Sequence, residues 1–220
     1  MLAIHALLTT LIATLLLVPA LQFIAPNVHA DDNEVIIVYP KGAPRIASDF
    51  DSYLGVNELP RETSHQGINI KGPKGQLVIA AADGVVLEAT VERCWGPTIV
   101  MDHGVAADGM RIIALYGHVG TMLVGAREQV KRGQAIARLG DNQNRYRCIY
   151  GVRHLHFQIG RKHRSQYDKG SYWGHSYFLE DGGRGINPHI YWADGRGKIT
   201  CFDPSRTYKK GSLTYPVPCR

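Results

Sequence analysis

The first thirty residues contain no Lys, Arg, Asp or Glu, and the first charged side chain is Asp31. This apolar stretch ends in Val28-His29-Ala30, which places small residues where a signal peptidase reads the chain. We therefore predict that residues 1–30 are a signal peptide, cleaved after Ala30, and that the protein is exported to the periplasm or the extracellular space. The stretch lacks the usual basic n-region and is long enough to span a bilayer, so a retained N-terminal anchor is the alternative. After cleavage we expect no stable membrane insertion.

Cysteine is scarce, and no Cys-x-x-Cys pair occurs, which argues against a cysteine metal site. The four cysteines all follow the predicted cleavage point, and an even number in an exported protein predicts disulfides. Four cysteines allow three pairings. We favour Cys201–Cys219, which would tie down the tail, with Cys94–Cys148, which would join two loops. Free thiols are the alternative.

Negative charge is in the minority. The chain has 25 basic and 19 acidic residues, a net charge of +6, and all of them lie beyond Ala30. A basic exported protein suits an anionic polymer such as cell wall, or a membrane surface, and we expect no nucleic-acid partner. An ordinary solvated face is the alternative. Much of the basic charge flanks one segment around residue 155, at Arg145, Arg147, Arg153, Arg161, Lys162 and Arg164.

Helical periodicity is rare, and neither solenoid repeats nor a low-complexity linker is visible. Short apolar runs broken by turn residues predict a mostly β fold, an antiparallel β-sandwich or folded sheet. Asp83-Gly84 is typical of a hairpin turn between two of these runs. The predicted strands are 35–39, 77–81, 85–91, 98–102, 111–116, 134–138 and 154–159.

The last sixty residues have a different composition, with many glycines and aromatic side chains. We expect a loop-rich aromatic C-terminal extension that packs on the β-core and adds an aromatic cluster to it. A platform for a glycan or peptide is the alternative. The aromatic residues are Tyr167, Tyr172, Trp173, Tyr177, Phe178, Tyr191 and Trp192.

The triplet His154-Leu155-His156 lies in an alternating run that ends near Ile159. Residues two apart in a strand point to the same face, so the two imidazoles should lie side by side. Leu155, Phe157 and Ile159 should point the other way, into the core. Two adjacent polar rings do nothing for a core, but they suit a metal site or a metal site with its acid or base. A pair of surface histidines is the alternative.

Two more histidine motifs precede this triplet, His65-Gln66-Gly67-Ile68-Asn69 and Leu115-Tyr116-Gly117-His118. The three motifs in this order resemble the lysostaphin/LytM-type zinc endopeptidases, which cut peptide cross-links of peptidoglycan. The resemblance covers roughly residues 44–190. Further matching segments are 44–50, 80–86, 100–104, 130–136 and Asn187-Pro188.

The resemblance implies a zinc ion held by His65, position 69 and His156. It also implies that His118 and His154 flank the metal as acid, base or transition-state groups. Three protein ligands leave a fourth zinc position for water, whose pKa falls toward neutrality. A neutral histidine can then accept a proton, and a second can stabilise the developing oxyanion.

Position 69 departs from the family pattern, because Asn69 stands where the family has Asp. An amide offers one neutral oxygen in place of a carboxylate, so metal affinity should fall. The same change could acidify the bound water further if zinc stays. The sequence leaves open which effect prevails.

These observations predict an exported zinc metalloendopeptidase that hydrolyses cross-links between peptidoglycan stem peptides. The alternative is a catalytically degenerate LytM-type module that binds cell wall and activates an amidase partner. A lipoyl- or biotinyl-type carrier domain is disfavoured, because no lysine lies in a Met-Lys hairpin setting. The predicted organisation is a signal peptide (1–30), an N-terminal strand and loop segment (31–60), the peptidase domain (61–190) and a C-terminal tail packed on the core (191–220).

Overall fold

A computed structural model of the chain describes residues 35–163 and 185–220. The predicted signal peptide and the aromatic residues from Tyr167 to Phe178 lie outside the described residues. Within the described ranges the regular structure is almost entirely β, with two short 3-10 turns, Arg147–Ile149 and Pro188–Ile190. No helix there is long and apolar enough to cross a membrane. The predicted mostly β fold is confirmed.

The strands of the described ranges pair antiparallel in two sheets. The strands are β1 (Ile46–Ser48), β2 (Ile68–Lys71), β3 (Leu77–Ile79), β4 (Gly84–Glu92), β5 (Gly96–Val105), β6 (Arg111–Gly117), β7 (Thr121–Met122), β8 (Gln129–Val130), β9 (Ala135–Arg138) and β10 (His154–Gly160). The larger sheet has the order β1-β2-β10-β6-β5-β4-β8, and the smaller has the order β3-β9-β7. Six of the seven predicted strands occur, namely β3, β4, β5, β6, β9 and β10.

Two local predictions are wrong. Residues 35–39 do not form a strand, and Val38 makes only an isolated parallel bridge to Lys198. The segment lies beside a loop and not beside a sheet edge, so a ladder cannot continue. Asp83-Gly84 is not a hairpin turn, because β3 pairs with β9 while β4 pairs with β5 and β8. The Asp83 carboxylate instead accepts a hydrogen bond from the Arg132 backbone N–H at 2.8 Å.

The main core lies between the apolar faces of the strands and the C-terminal segment. Leu155, Phe157 and Ile159 of β10 are buried in it, as the alternation predicted. Trp192 and Tyr215 from the last thirty residues are buried in the same cluster. The opposite face of β5 and β6 carries a smaller cluster, and Trp95 joins it. The histidine face of β10 is therefore separated from the main core by the sheet itself.

Both favoured disulfides are present, Cys94–Cys148 and Cys201–Cys219. The second bridge closes a loop of 18 residues, and a cross-link of that size stabilises a fold by about 3 kcal/mol. We expect the double variant Cys201→Ala, Cys219→Ala to lose roughly that much free energy of unfolding in urea denaturation. An unchanged midpoint and slope would contradict this expectation.

His103 is buried, and it connects the Asp83 loop to β6. Its Nδ1 lies 3.0 Å from the Asp83 carbonyl oxygen, and its Nε2 lies 2.9 Å from the Tyr116 hydroxyl. That hydroxyl also accepts the Ala81 backbone N–H at 2.9 Å. Tyr116 thus has a packing role, and burial raises its pKa.

Acid should destabilise the fold through His103. Burial lowers the pKa of His103 to about 4, whereas an unfolded histidine titrates near 6.5. Below pH 6.5 His103 binds a proton in the unfolded state but not in the folded state, so stability falls as the pH drops toward 4. We expect this one group to remove about 2 kcal/mol between pH 6.5 and pH 5. Urea titrations at both pH values should show a smaller loss in His103→Gln, and an equal loss would refute the assignment.

Candidate functional site

The three predicted ligand residues converge at the junction of β2 and β10. Asn69 and His156 are directly opposite each other in the β2–β10 ladder. His156 Nδ1 lies 2.9 Å from Asn69 Oδ1 and 3.1 Å from His65 Nε2. All three residues are buried. One ring nitrogen of each histidine and the amide oxygen therefore face a common point.

Carbonyl and hydroxyl groups fix the orientation of His65. Its Nδ1 lies 3.0 Å from the Asp49 carbonyl oxygen and 3.2 Å from Ser48 Oγ. A carbonyl oxygen only accepts, so Nδ1 carries the ring proton and Nε2 keeps its lone pair. The Asp49 carboxylate in turn lies 2.7 Å from Nε2 of His189.

Gln158 orients His156 from the same face of β10, two residues along the strand. Its Oε1 lies 3.1 Å from His156 Nε2. The tautomer that donates from Nε2 to this oxygen leaves Nδ1 with a lone pair directed at His65 and Asn69. The Gln158 amide nitrogen is buried and has no partner, so this oxygen is the atom through which Gln158 acts.

His118 and His154, the predicted acid and base residues, lie beside this point. Their ring centroids are 4.9 Å apart, and that of His118 is 5.8 Å from that of His156. His118 Nδ1 is 2.9 Å from the Trp95 carbonyl oxygen, and His154 Nδ1 is 2.6 Å from the Val152 carbonyl oxygen. Both rings therefore donate from Nδ1, and Nε2 of each is left unprotonated. His118 also has a φ of 65°, a strained backbone conformation of the kind that clusters at functional sites.

Trp95 forms one wall of the site. Its ring stacks on His118 with centroids 4.7 Å apart and meets the edge of His156 at 5.0 Å. The Glu92 carboxylate holds the turn by accepting the Cys94 and Trp95 backbone N–H groups at 2.7 and 2.8 Å. A Cβ at Gly117 would come within 2.9 Å of the indole, so glycine is required there for this packing.

The Cys94–Cys148 bridge joins the Trp95 turn to the loop that carries Tyr150. Both loops line a cavity of about 50 Å³. The cavity is lined by Arg61, His65, Asn69, Trp95, His118, Cys148, Tyr150, His154 and His156.

Burial keeps the four histidines neutral. It lowers the pKa of His65 to about 3 and that of His154 to about 4. It also lowers the pKa of His118 and His156 well below the ordinary value. No Asp or Glu lines the cavity in the described part of the chain. The rings are thus available as lone-pair donors and proton acceptors at neutral pH.

Among residues 35–163 and 185–220, no group of three or more His, Cys, Asp or Glu side chains could hold a metal ion. The third donor at this site would be the Asn69 amide oxygen. Zinc–nitrogen bonds of 2.0–2.1 Å in a tetrahedron separate donors by about 3.3 Å, close to the 2.9 and 3.1 Å seen here. The donor set fits zinc in geometry and lacks an anionic ligand. Without a metal, a proton on His156 Nδ1 would hold the same three atoms together, because that N–H could donate to both Asn69 Oδ1 and His65 Nε2.

Two further described histidines, His163 and His189, do not line the cavity. His163 lies 2.5 Å from a Glu88 oxygen, and His189 accepts the Trp192 indole N–H at 2.9 Å. His175 lies outside the described residues. Of the basic residues near β10, Arg153 pairs with Asp141 and Arg161 with Asp108.

Sequence reasoning missed several residues of the site. Gln158 could have been found, because it continues the two-residue alternation of His154 and His156. Trp95 and Arg61 gave no such signal, since loops of separate origin bring them to the cavity.

Comparisons with known proteins agree with this geometry. Residues 63–169 match the model of peptidase family M23. The chain is 36% identical over 105 residues to the murein hydrolase activator NlpD of Escherichia coli strain K12, which is 47% of this chain and 25% of that protein. It is 34% identical over 100 residues to a lipoprotein NlpD/LppB homolog of Pseudomonas aeruginosa, 44% of this chain and 30% of that protein. The match thus spans about a quarter of the length of these relatives.

Among solved structures, the catalytic domain of the antimicrobial peptidase lysostaphin from Staphylococcus simulans is 21% identical with a TM-score of 0.39. It covers 57% of this chain and 81% of that chain. The LytU structure is 21% identical with a TM-score of 0.46, covering 70% and 88%.

The fold and the histidine site define a LytM-type β domain. The chain contains a domain of peptidase family M23, the LytM type of metallopeptidase. The relative from Escherichia coli is named as a murein hydrolase activator.

Proposed function

We propose that this chain is an exported zinc-dependent endopeptidase that hydrolyses peptide cross-links of peptidoglycan. One observation carries the proposal. Each of the four site histidines can donate one ring N–H to a protein oxygen and present its other nitrogen to the same cavity. A site that had lost its chemistry would have no reason to keep all four rings oriented.

His65, Asn69 and His156 would hold the metal. When bound, zinc acts as a Lewis acid that activates water and polarises the scissile carbonyl. The Asp49 carbonyl and Gln158 fix the tautomers of the two ligand histidines.

His118 and His154 supply the proton chemistry in this proposal. Their rings both line the cavity with centroids 4.9 Å apart, and their depressed pKa values keep both neutral at pH 7. One ring accepts a proton from the attacking water at its Nε2, and the N–H formed there can donate to the developing oxyanion while the second neutral ring stays available as a proton acceptor. The proton is then delivered to the leaving amine, which completes amide hydrolysis.

The second candidate function is activation of a murein hydrolase. Two observations favour it. Asn69 stands where the family has its aspartate ligand, so the three donors include no carboxylate, and the matched relative from Escherichia coli is named a murein hydrolase activator. The comparisons support this candidate better than cleavage by the chain itself, whereas the oriented histidines favour cleavage. An activator would use the groove to bind cell wall or an amidase partner, with no need for a metal.

An assay with and without an amidase separates the two functions. The mature chain is incubated with purified cross-linked peptidoglycan alone, with a cognate amidase, and with zinc or a chelator. An endopeptidase converts dimeric to monomeric muropeptides without amidase, and the chelator stops it. An activator releases no product alone and accelerates the amidase.

The same proposal places the chain outside the cytoplasm, in the periplasm or the extracellular space. The two disulfides support export, since such bonds form in oxidising compartments. N-terminal sequencing of the mature protein tests the predicted cleavage after Ala30.

A further inference from the structure

Arg61 lines the histidine cavity, and its backbone is held in place. The residue follows Pro60, which forms an antiparallel bridge with Leu54. Its own N–H donates to the Tyr53 carbonyl oxygen at 2.9 Å. The backbone of Arg61 is therefore fixed in a tight loop at the cavity.

The guanidinium has no acidic partner among the described residues. Its one hydrogen bond runs from Nε to the Thr63 carbonyl oxygen at 3.4 Å. Burial lowers its pKa, and Tyr150 is the only titratable group that raises it. By contrast, Arg111, Arg153 and Arg206 each pair with an aspartate.

A half-buried cation without a counter-ion is unfavourable, and its N–H groups lose water without gaining an acceptor. The surroundings offer no relief, because the cavity is lined by neutral groups apart from Arg61. Such a site is complete only when a ligand brings negative charge. The planar fork of a guanidinium matches a carboxylate with two parallel hydrogen bonds.

We propose that Arg61 is a specificity-determining residue that binds a free carboxylate of the peptide in the groove. The groove would then select acidic stem peptides over peptides whose carboxylates are amidated. Tyr150, two residues beyond Cys148 of the Cys94–Cys148 bridge, lines the same cavity and can contact the same peptide. The inference rests on the proposed function only in that the cell-wall peptide occupies this cavity, and it applies to cleavage and to binding alike.

The test uses monomeric stem peptides, which contain no cross-link to cut. Two matched peptides are compared by calorimetry, one with free carboxylates and one with the same groups as carboxamides. The proteins are the mature chain, Arg61→Gln, Arg61→Lys, and Arg127→Gln. Arg127 is exposed before β8, at the opposite edge of the sheet from β2, and its replacement removes the same charge away from the cavity.

We expect the unaltered chain and Arg127→Gln to prefer the free-acid peptide by about tenfold or more, the scale of a hydrogen-bonded charge pair. Arg61→Gln should lose the preference while still binding the carboxamide, and Arg61→Lys should keep part of it. Equal affinity of Arg61→Gln and the unaltered chain for the free acid overturns the inference. Equal loss for both peptides, or absence of binding by the unaltered chain, also overturns it.

These outcomes are separable from those of the proposed function. If the chain prefers the free-acid peptide but cleaves no peptidoglycan, the proposed cleavage fails and the role of Arg61 stands. If the chain cleaves cross-links and Arg61→Gln cleaves free-acid and amidated substrates as the unaltered chain does, the role of Arg61 fails alone. Circular dichroism of each variant verifies that it is folded.

Discussion

Replacing His154 or His118 by alanine is expected to lower the rate of cross-link cleavage by about 10²- to 10⁴-fold, the range for a positioned acid or base. Both rings line the cavity, and Nδ1 of each is bound to a backbone carbonyl. Neither belongs to the predicted ligand set, so the zinc content of the variants should stay unchanged. Muropeptide release followed by mass spectrometry gives the rate, and elemental analysis gives the metal.

His163→Ala is the matched control for these variants. This histidine contacts Glu88 and does not line the cavity, so its loss should leave the cleavage rate unchanged. If His154→Ala or His118→Ala cleaves at the rate of the unaltered chain, the acid–base assignment is wrong. A variant that loses zinc together with activity would show that the ring is a ligand instead.

Replacing Asn69 by aspartate is expected to raise zinc affinity by about 10- to 100-fold, because changes around metal ligands have effects of that size. The Asn69 oxygen already lies 2.9 Å from His156 Nδ1, so aspartate would bring a full negative charge to the same place. No carboxylate from residues 35–163 or 185–220 lines the cavity to compensate. Competition with a chelator of known affinity measures the change.

The matched control for Asn69→Asp is Asn144→Asp, the same chemical change at an exposed position outside the cavity. Its zinc affinity should equal that of the unaltered chain. Unchanged affinity in Asn69→Asp would exclude position 69 as a ligand. If the variant gains zinc and gains cleavage that the unaltered chain lacks, Asn69 is what makes the site inactive, and activation becomes the function of the native chain.

The parts of the fold that the sequence predicted are those where local pattern and final environment agree. In β10 the two-residue alternation set the faces, and the structure buries Leu155, Phe157 and Ile159 in the core as expected. The ordered histidine motifs likewise predicted that distant segments meet, and His65 and His156 lie together although 91 residues separate them. The two disulfides favoured from the sequence, one at the C-terminal tail and one between two loops, are also present.

The wrong local predictions and the missed site residues have a common physical cause, because both depend on which segments become neighbours in the folded chain. The run at 35–39 has the composition of a strand, but its only partner is a loop near Lys198. Asp83-Gly84 has the composition of a hairpin turn, yet the strands on either side of it enter different sheets. Trp95 and Arg61 reach the site from loops whose arrival only the tertiary structure determines.

The site combines two features with opposite implications. The orienting contacts of His65, His118, His154 and His156 leave one unprotonated nitrogen on each ring, as the proposed hydrolysis requires. The neutral Asn69 and the unpaired cation of Arg61 both disfavour a dication. Cleavage and activation therefore differ in one physical quantity, which is the affinity of the three donors for zinc.

One measurement tests this account most directly: zinc per chain and cleavage of purified cross-linked peptidoglycan, determined on the same sample of mature protein. The account predicts about one zinc per chain, as three protein ligands at a single site imply. It also predicts conversion of dimeric to monomeric muropeptides, lost in His154→Ala. Absence of both zinc and cleavage, even after zinc is added, would contradict it and assign the groove to binding and activation.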